Sequence, residues 1–266
     1  MSDSAIAQRW RTVKSERRAA LIPYLTAGYP TLDASRSALA MVAEAGADFI
    51  EVGVPFSDPL ADGPVIQRSS QRALDNGMTV PGVLQLIRDA RLPVPVIVFS
   101  YLNPIMAYGL ERFGHDARAA GVSGVLLTDL PVGEDAGVEH TIRSAGLDLI
   151  RLIAPTTEGP RLERSVKGAG GFLYLISRLG VTGARTQLDQ HSEDLVNRVR
   201  RATDLPVALG FGLATGDQAR AVGKFADGVV VGTALVERLA EGLEPARRLI
   251  VELRSAVQGP FDRPKA

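Results

Sequence analysis

The 266-residue chain contains no cysteine. That excludes disulfides, thiolate metal sites and a cysteine nucleophile. No run of about 18 apolar residues occurs, so no transmembrane helix is expected. The opening "MSDSAIAQRWRTVKSERR" is polar and lacks a secretory apolar region. Neither sign of charge prevails, with 30 Lys+Arg against 30 Asp+Glu. No basic run or aromatic-basic stripe points to nucleic acid or a membrane surface. These absences predict a cytoplasmic protein. The only lysines are Lys14, Lys167, Lys224 and Lys265. None falls at the end of an expected strand, so a Schiff-base mechanism has no evident nucleophile. Of the histidines, His115 and His140 fall in helical patterns and His191 in a loop; they do not form a metal motif, and no metal is expected.

What the chain does contain is alternation. Short apolar runs read as strands at 20–27, 48–54, 95–102, 124–130, 149–154, 171–177, 206–212 and 228–233. Amphipathic stretches lie between them. "LDASRSALAMVAEAG" places Leu32, Leu39, Val42 and Ala43 on one face, and "SEDLVNRVRRAT" reads as a helix with Ser192 as N-cap. Strand–helix alternation with apolar strands predicts a parallel sheet covered by helices. Eight units in about 250 residues is the count of a TIM (β/α)8 barrel, α/β in class. An open doubly wound sheet is the alternative, weakened by the lack of G-x-G-x-x-G after the first strand. The expectation is one domain over 1–266, with an N-terminal helix at 1–18 and a frayed tail at 258–266.

In such a barrel the chemistry sits at the C-terminal ends of the strands. Polar residues there are Glu51, Asp58, Asp62, Tyr101, Asn103, Thr128, Asp129, Tyr174, Arg178 and Thr182. The stretch "IEVGVPFSDPLADGP" carries three of them. Period-two alternation puts Phe49, Glu51 and Gly53 on one face, toward the barrel interior. A carboxylate there is either tied off by an ion pair or works as an acid/base with a raised pKa. Asp62, before Gly63-Pro64, reads as an N-cap or as a second working carboxylate. Asp58 reads as a turn residue. Glycines gather late in the chain, in "GVTGART" (180–186), "GFG" (210–212) and "GTALVERLAEG" (232–242). A short extra helix after strand eight, fed by glycines, is where these barrels hold phosphate on backbone N–H groups.

These residues also resemble a known family. "LIPYLTAGYP", "DFIEVGVPFSDPLADGP", "GVLLTDLP", "LYLISRLGVTGAR", "LGFGLATGDQA" and "DGVVVGTALV" are similar, in order, to the tryptophan synthase alpha chain. The resemblance implies a lyase that cleaves indole-3-glycerol phosphate to indole and glyceraldehyde 3-phosphate. It implies Glu51 as acid/base, Asp62 as the second catalytic carboxylate and Tyr174 beside the glutamate. It places phosphate on Gly183, Gly212, Gly232 and Thr233, and substrate against Tyr24, Phe99, Tyr101, Leu127, Ile153, Thr182 and Phe211. Two departures are visible: Tyr24 stands where many members have phenylalanine, and Val65 where threonine is common. The resemblance further implies a pyridoxal-phosphate beta chain as partner, in an assembly of two alpha and two beta chains, with no cofactor in this chain. Loops 55–64 and 178–191 would close over substrate and sense that partner. Two related barrel enzymes fit less well, because indoleglycerol-phosphate synthase would need strand-end lysines and phosphoribosylanthranilate isomerase a cysteine. A stand-alone lyase and a silent activating subunit are the remaining rivals.

Overall fold

The structure, a computed structural model, describes residues 4–176, 185–210 and 212–261. Eight strands run β1 Ala20–Thr26, β2 Ile50–Gly53, β3 Val96–Ser100, β4 Val122–Leu127, β5 Asp148–Ile153, β6 Leu173–Ile176, β7 Val207–Gly210 and β8 Gly228–Val231. All neighbours pair in parallel, and β8 closes on β1 to complete the barrel. Helices α1 Ala5–Ser15 and α2 Leu32–Glu44 flank β1 in sequence, and α3 Pro64–Asp75 and α4 Val80–Ala90 follow β2. After β3 come α5 Leu102–Tyr108 and α6 Leu110–Ala119; α7 Ala136–Ser144 follows β4 and α8 Gly159–Lys167 follows β5. The last are α9 Arg185–Arg200, α10 Gly216–Gly223, α11 Thr233–Glu241 and α12 Leu243–Ala256. Each expected strand is present, trimmed by one to three residues at an end, while β4 and β5 start two residues and one residue earlier than expected. α9 begins at Arg185 rather than at Ser192, which lies inside the helix. No proline or glycine interrupts Arg185–Arg200, so the polar residues ahead of Ser192 can extend it. The part of loop 178–191 before Arg185 lies outside the described residues.

Strand parity separates two apolar layers. Side chains that alternate outward, such as Val52, Val98, Val125 and Leu209, pack beneath the helices. Those that alternate inward, including Ile22, Phe49, Ile97, Leu126, Ile150 and Val230, fill the barrel. α1 lies across the N-terminal mouth, where Ile6, Trp10 and Val13 join the inner layer and Trp10 stacks near Phe49 at 4.9 Å. Below this plug, Asp48 is fully buried and holds three arginines. Arg18 binds it through two nitrogens at 2.7 and 2.8 Å, Arg9 at 2.8 Å and Arg254 at 3.2 Å. The same carboxylate accepts the Leu21 N–H at 3.0 Å. A buried carboxylate is tolerable when so paired, and here it ties α1, β1 and α12 together at the end opposite the site. Residue 261 of the expected tail is held: the Phe261 N–H donates to Arg17 O at 2.8 Å. Among the described residues, no helix is long and apolar enough to cross a membrane.

Candidate active site

Glu51 sits on β2 with its side chain in the barrel, opposite Tyr24 of β1 in register. It is fully buried, and among the described residues neither carboxyl oxygen has a hydrogen-bond partner. Of the two readings open to it, no ion pair is present among the described residues. Burial alone therefore raises its pKa to about 8. Contrast Asp48, three residues earlier, whose charge is matched by arginines.

Two tyrosines flank Glu51. The Tyr24 phenol reaches across toward β2 and fills the space that a Cβ on Gly53 would need; the Tyr174 phenol does the same over Gly210 of β7. Glycine at these two strand ends is thus a packing requirement of the rings. Burial raises both phenols, and the carboxylates of Glu51 and Asp62 raise them further. Phe99 meets Tyr24 edge-to-face at 5.2 Å, closing an aromatic wall.

Asp62 lies at the end of the loop after β2. It is not the N-cap of α3: Gly63 holds that position, with Pro64 in the first turn. Its carboxyl caps no helix and has the Tyr101 hydroxyl as a hydrogen-bond partner. Burial raises it to about 6, and the nearby Tyr101 hydroxyl opposes the shift. That hydroxyl also accepts the Ala61 N–H at 2.9 Å, pinning the loop to the end of β3. Phe56 stacks on the Tyr101 ring at 5.2 Å. Asp129, another candidate, serves the fold, since its Oδ1 accepts the Leu102 N–H at 2.7 Å at the start of α5. Asp58 is exposed and bonded to Ser57. Asn103 is exposed on α5.

Leu127 and Ile153 are not brought to the site. Both belong to the outer layer beneath the helices, while Leu126 and Leu152 face inward. The error is one of parity. In "GVLLTDL" adjacent leucines hide the alternation. In "LIRLIA" the arginine could have settled it: Arg151 faces outward to pair with Glu139 of α7, which puts Leu152 inside.

Gly212 and Gly232 stand just past the ends of the adjacent strands β7 and β8. Gly212 has φ +69°, a conformation that favours glycine. Gly232 is the N-cap of α11 and brings no side chain to cap it, so among the described residues the first N–H groups of that helix, beginning at Thr233, have no side-chain cap. Thr182, Gly183, Arg178 and Phe211 lie outside the described residues.

A closed parallel barrel that, among the described residues, buries one carboxyl without a counter-charge beside a second on a strand-end loop belongs to the TIM-barrel class and carries groups suited to acid–base chemistry. Comparison with known proteins narrows the class. Residues 10–262 match the family model of the tryptophan synthase alpha chain. The chain is 47% identical over 244 residues to the tryptophan synthase alpha chain of Acidiphilium cryptum, covering 91% of this chain and 88% of that one. It is 45% identical to that of Synechococcus elongatus, covering 96% and 97%. Among solved structures, Mycobacterium tuberculosis tryptophan synthase superposes with a TM-score of 0.90 at 39% identity, covering 97% and 100% of the two chains. The alpha subunit of Legionella pneumophila gives 0.90 at 34%, covering 96% and 99%. The chain belongs to the tryptophan synthase alpha chain family. It is a lyase subunit, its reaction is the alpha reaction, the cleavage of indole-3-glycerol phosphate, and it works with a beta chain.

Proposed function

We propose that Glu51 and Asp62 divide this cleavage between them. The observation that carries the reading is a fully buried Glu51 whose two carboxyl oxygens have no partner among the described residues. A carboxyl with a pKa of about 8 is mostly protonated at neutral pH and can donate. Glu51 protonates C3 of the indole ring, giving an indolenium that serves as the electron sink. The bond from C3 to the glycerol carbon then breaks, and its electron pair restores the ring. The hydroxyl on that carbon becomes the aldehyde as its proton passes to the Glu51 carboxylate, which returns the acid to its starting form. Asp62 accepts the indole N–H and opposes the positive charge that grows on the ring, an interaction strongest in the transition state. Tyr24, Phe99 and Tyr174 give the ring an apolar, aromatic slot. The start of α11, which has no side-chain cap, with Gly212 beside it, suits the phosphate; the family resemblance adds Thr182 and Gly183, which lie outside the described residues.

The catalytic test is Glu51→Gln. It keeps the volume and cannot cycle a proton, so indole release should fall by about 10²–10⁴-fold or more with the fold intact. Turnover near wild type would remove Glu51 from the mechanism.

We further infer a cytoplasmic assembly of two alpha and two beta chains in which the beta chain covers the barrel's mouth and carries the pyridoxal phosphate. The loop after β2 supports this with Leu60, 92% exposed at its tip, and α5, after the neighbouring strand, with Met106 exposed at 48%. Apolar side chains so placed are suited to a partner. Indole release measured with and without a beta chain separates this from a stand-alone lyase: coupling predicts a rise of orders of magnitude, and equal rates would exclude it.

A further inference from the structure

Behind Tyr24 runs a chain of buried hydroxyls. The Tyr24 phenol oxygen lies 3.4 Å from Thr26 Oγ1, Thr26 Oγ1 lies 2.7 Å from Ser69 Oγ, and Ser69 Oγ donates to Ile66 O at 2.8 Å. Thr26 and Ser69 are each 1% exposed and Tyr24 is 7% exposed, so water does not compete. The direction of the chain is fixed by its last link. A carbonyl can only accept, so Ser69 spends its one proton on Ile66. Thr26 must then donate to Ser69, and Tyr24 must donate to Thr26.

The chain ends in the first turn of α3, the helix that starts at Pro64. Asp62 is fastened to that same helix. Its carbonyl accepts the Gln67 Nε2 amide at 2.9 Å, and its N–H is bonded to Pro59 O at 3.0 Å. On the other side, Tyr101 holds the preceding amide. Asp62 is therefore suspended between the end of β3 and the start of α3, and α3 is tied through Ser69 and Thr26 to a ring in the substrate slot.

We propose that Tyr24, Thr26 and Ser69 act as one directional relay that sets the start of α3 and so aims the Asp62 carboxylate, making Tyr24 a positioning residue and not only a wall of the slot. Two consequences follow from the geometry. Loss of any one hydroxyl loosens the same connection, so losses overlap instead of adding. The damage falls on a charge interaction that is strongest in the transition state, so turnover falls more than substrate binding. The inference rests on the assignment of Asp62 given above.

The test is a set of variants assayed for indole release with the beta chain present. Tyr24→Phe, Thr26→Val and Ser69→Ala should each lower kcat about three- to tenfold, the range set by one hydrogen bond, with little change in KM. Thr26→Ser, which keeps the hydroxyl, should recover most of what Thr26→Val loses. The Tyr24→Phe/Ser69→Ala pair should be no worse than the poorer single variant, the mark of a shared path. Wild-type kcat in Tyr24→Phe or Ser69→Ala, additive losses, or a Thr26→Ser as impaired as Thr26→Val would each overturn the relay. Asp62→Asn run alongside separates the two claims. If it is inactive while the relay variants are unimpaired, the relay alone fails. If it is active, the assignment of Asp62 fails and the relay's catalytic role with it.

Discussion

Tyr24 and Gly53 compete for one volume: the phenol lies where any Cβ on Gly53 would have to stand. Gly53→Ala should therefore push the Tyr24 ring out of place. Overpacking of this kind costs about 1–3 kcal/mol, so the melting temperature should drop and indole release should fall with it. Adding Tyr24→Leu should restore much of the stability and little of the activity. A single variant that melts and turns over like wild type would show that this contact constrains nothing.

The two carboxyls predict a bell-shaped pH profile for kcat/KM. Asp62 must be ionised, which sets an acid limb near its value of about 6. Glu51 must be protonated in the free enzyme, which sets an alkaline limb near about 8. Activity should be greatest between them. Asp62→Glu and other variants that alter the loop should move the acid limb and leave the alkaline one. A profile flat from pH 5 to pH 9 would contradict both assignments.

Glu51 also couples stability to pH. Its folded value, about 8, lies above its ordinary 4.5, so the folded state holds this proton more tightly than the unfolded state. Below about 4.5 both states are protonated and no penalty exists. As pH rises from there toward 8 the unfolded state ionises freely and the folded state does not, so stability is progressively lost. Glu51→Gln removes that loss. Its melting temperature relative to wild type should climb between pH 5 and pH 8.5; a constant difference would mean that burial does not shift this group.

At the opposite end, Asp48 gathers Arg9, Arg18 and Arg254 and accepts a backbone amide. Asp48→Ala takes from buried Arg18 the carboxylate that binds it through two nitrogens and leaves it Glu16 alone. Breaking such a pair typically costs about 3–5 kcal/mol. Chemical denaturation should show that loss, and the folded fraction should keep its kcat, because the N-terminal face serves stability. A variant with unchanged stability but impaired catalysis would reverse this division of labour.

The barrel and the inward place of Glu51 were legible in the sequence because they rest on local signals. Apolar runs at regular spacing gave the strands, and alternation through Phe49, Glu51 and Gly53 aimed Glu51 inward. The signal failed where neighbouring residues were alike: Leu126 and Leu127 cannot be told apart by hydropathy, and the barrel interior takes the first. It failed again at Ser192, where a good capping residue lies in mid-helix. The long-range polar partnerships were beyond reach. Nothing local links Thr26 to Ser69, or Asp48 to Arg254; the barrel's closure brings them together. The same limit left Glu51 ambiguous, because an ion pair or its absence depends on residues far away in the chain.

Everything in the proposed chemistry turns on Glu51 being a neutral acid at the pH where the enzyme works. Infrared difference spectra of wild type minus Glu51→Gln, recorded from pH 5 to pH 9.5, read this one carboxyl directly. A buried, unpaired Glu51 predicts a protonated carboxylic acid band that persists through pH 7 and gives way to the carboxylate near pH 8. A carboxylate band already complete at pH 5 would contradict it.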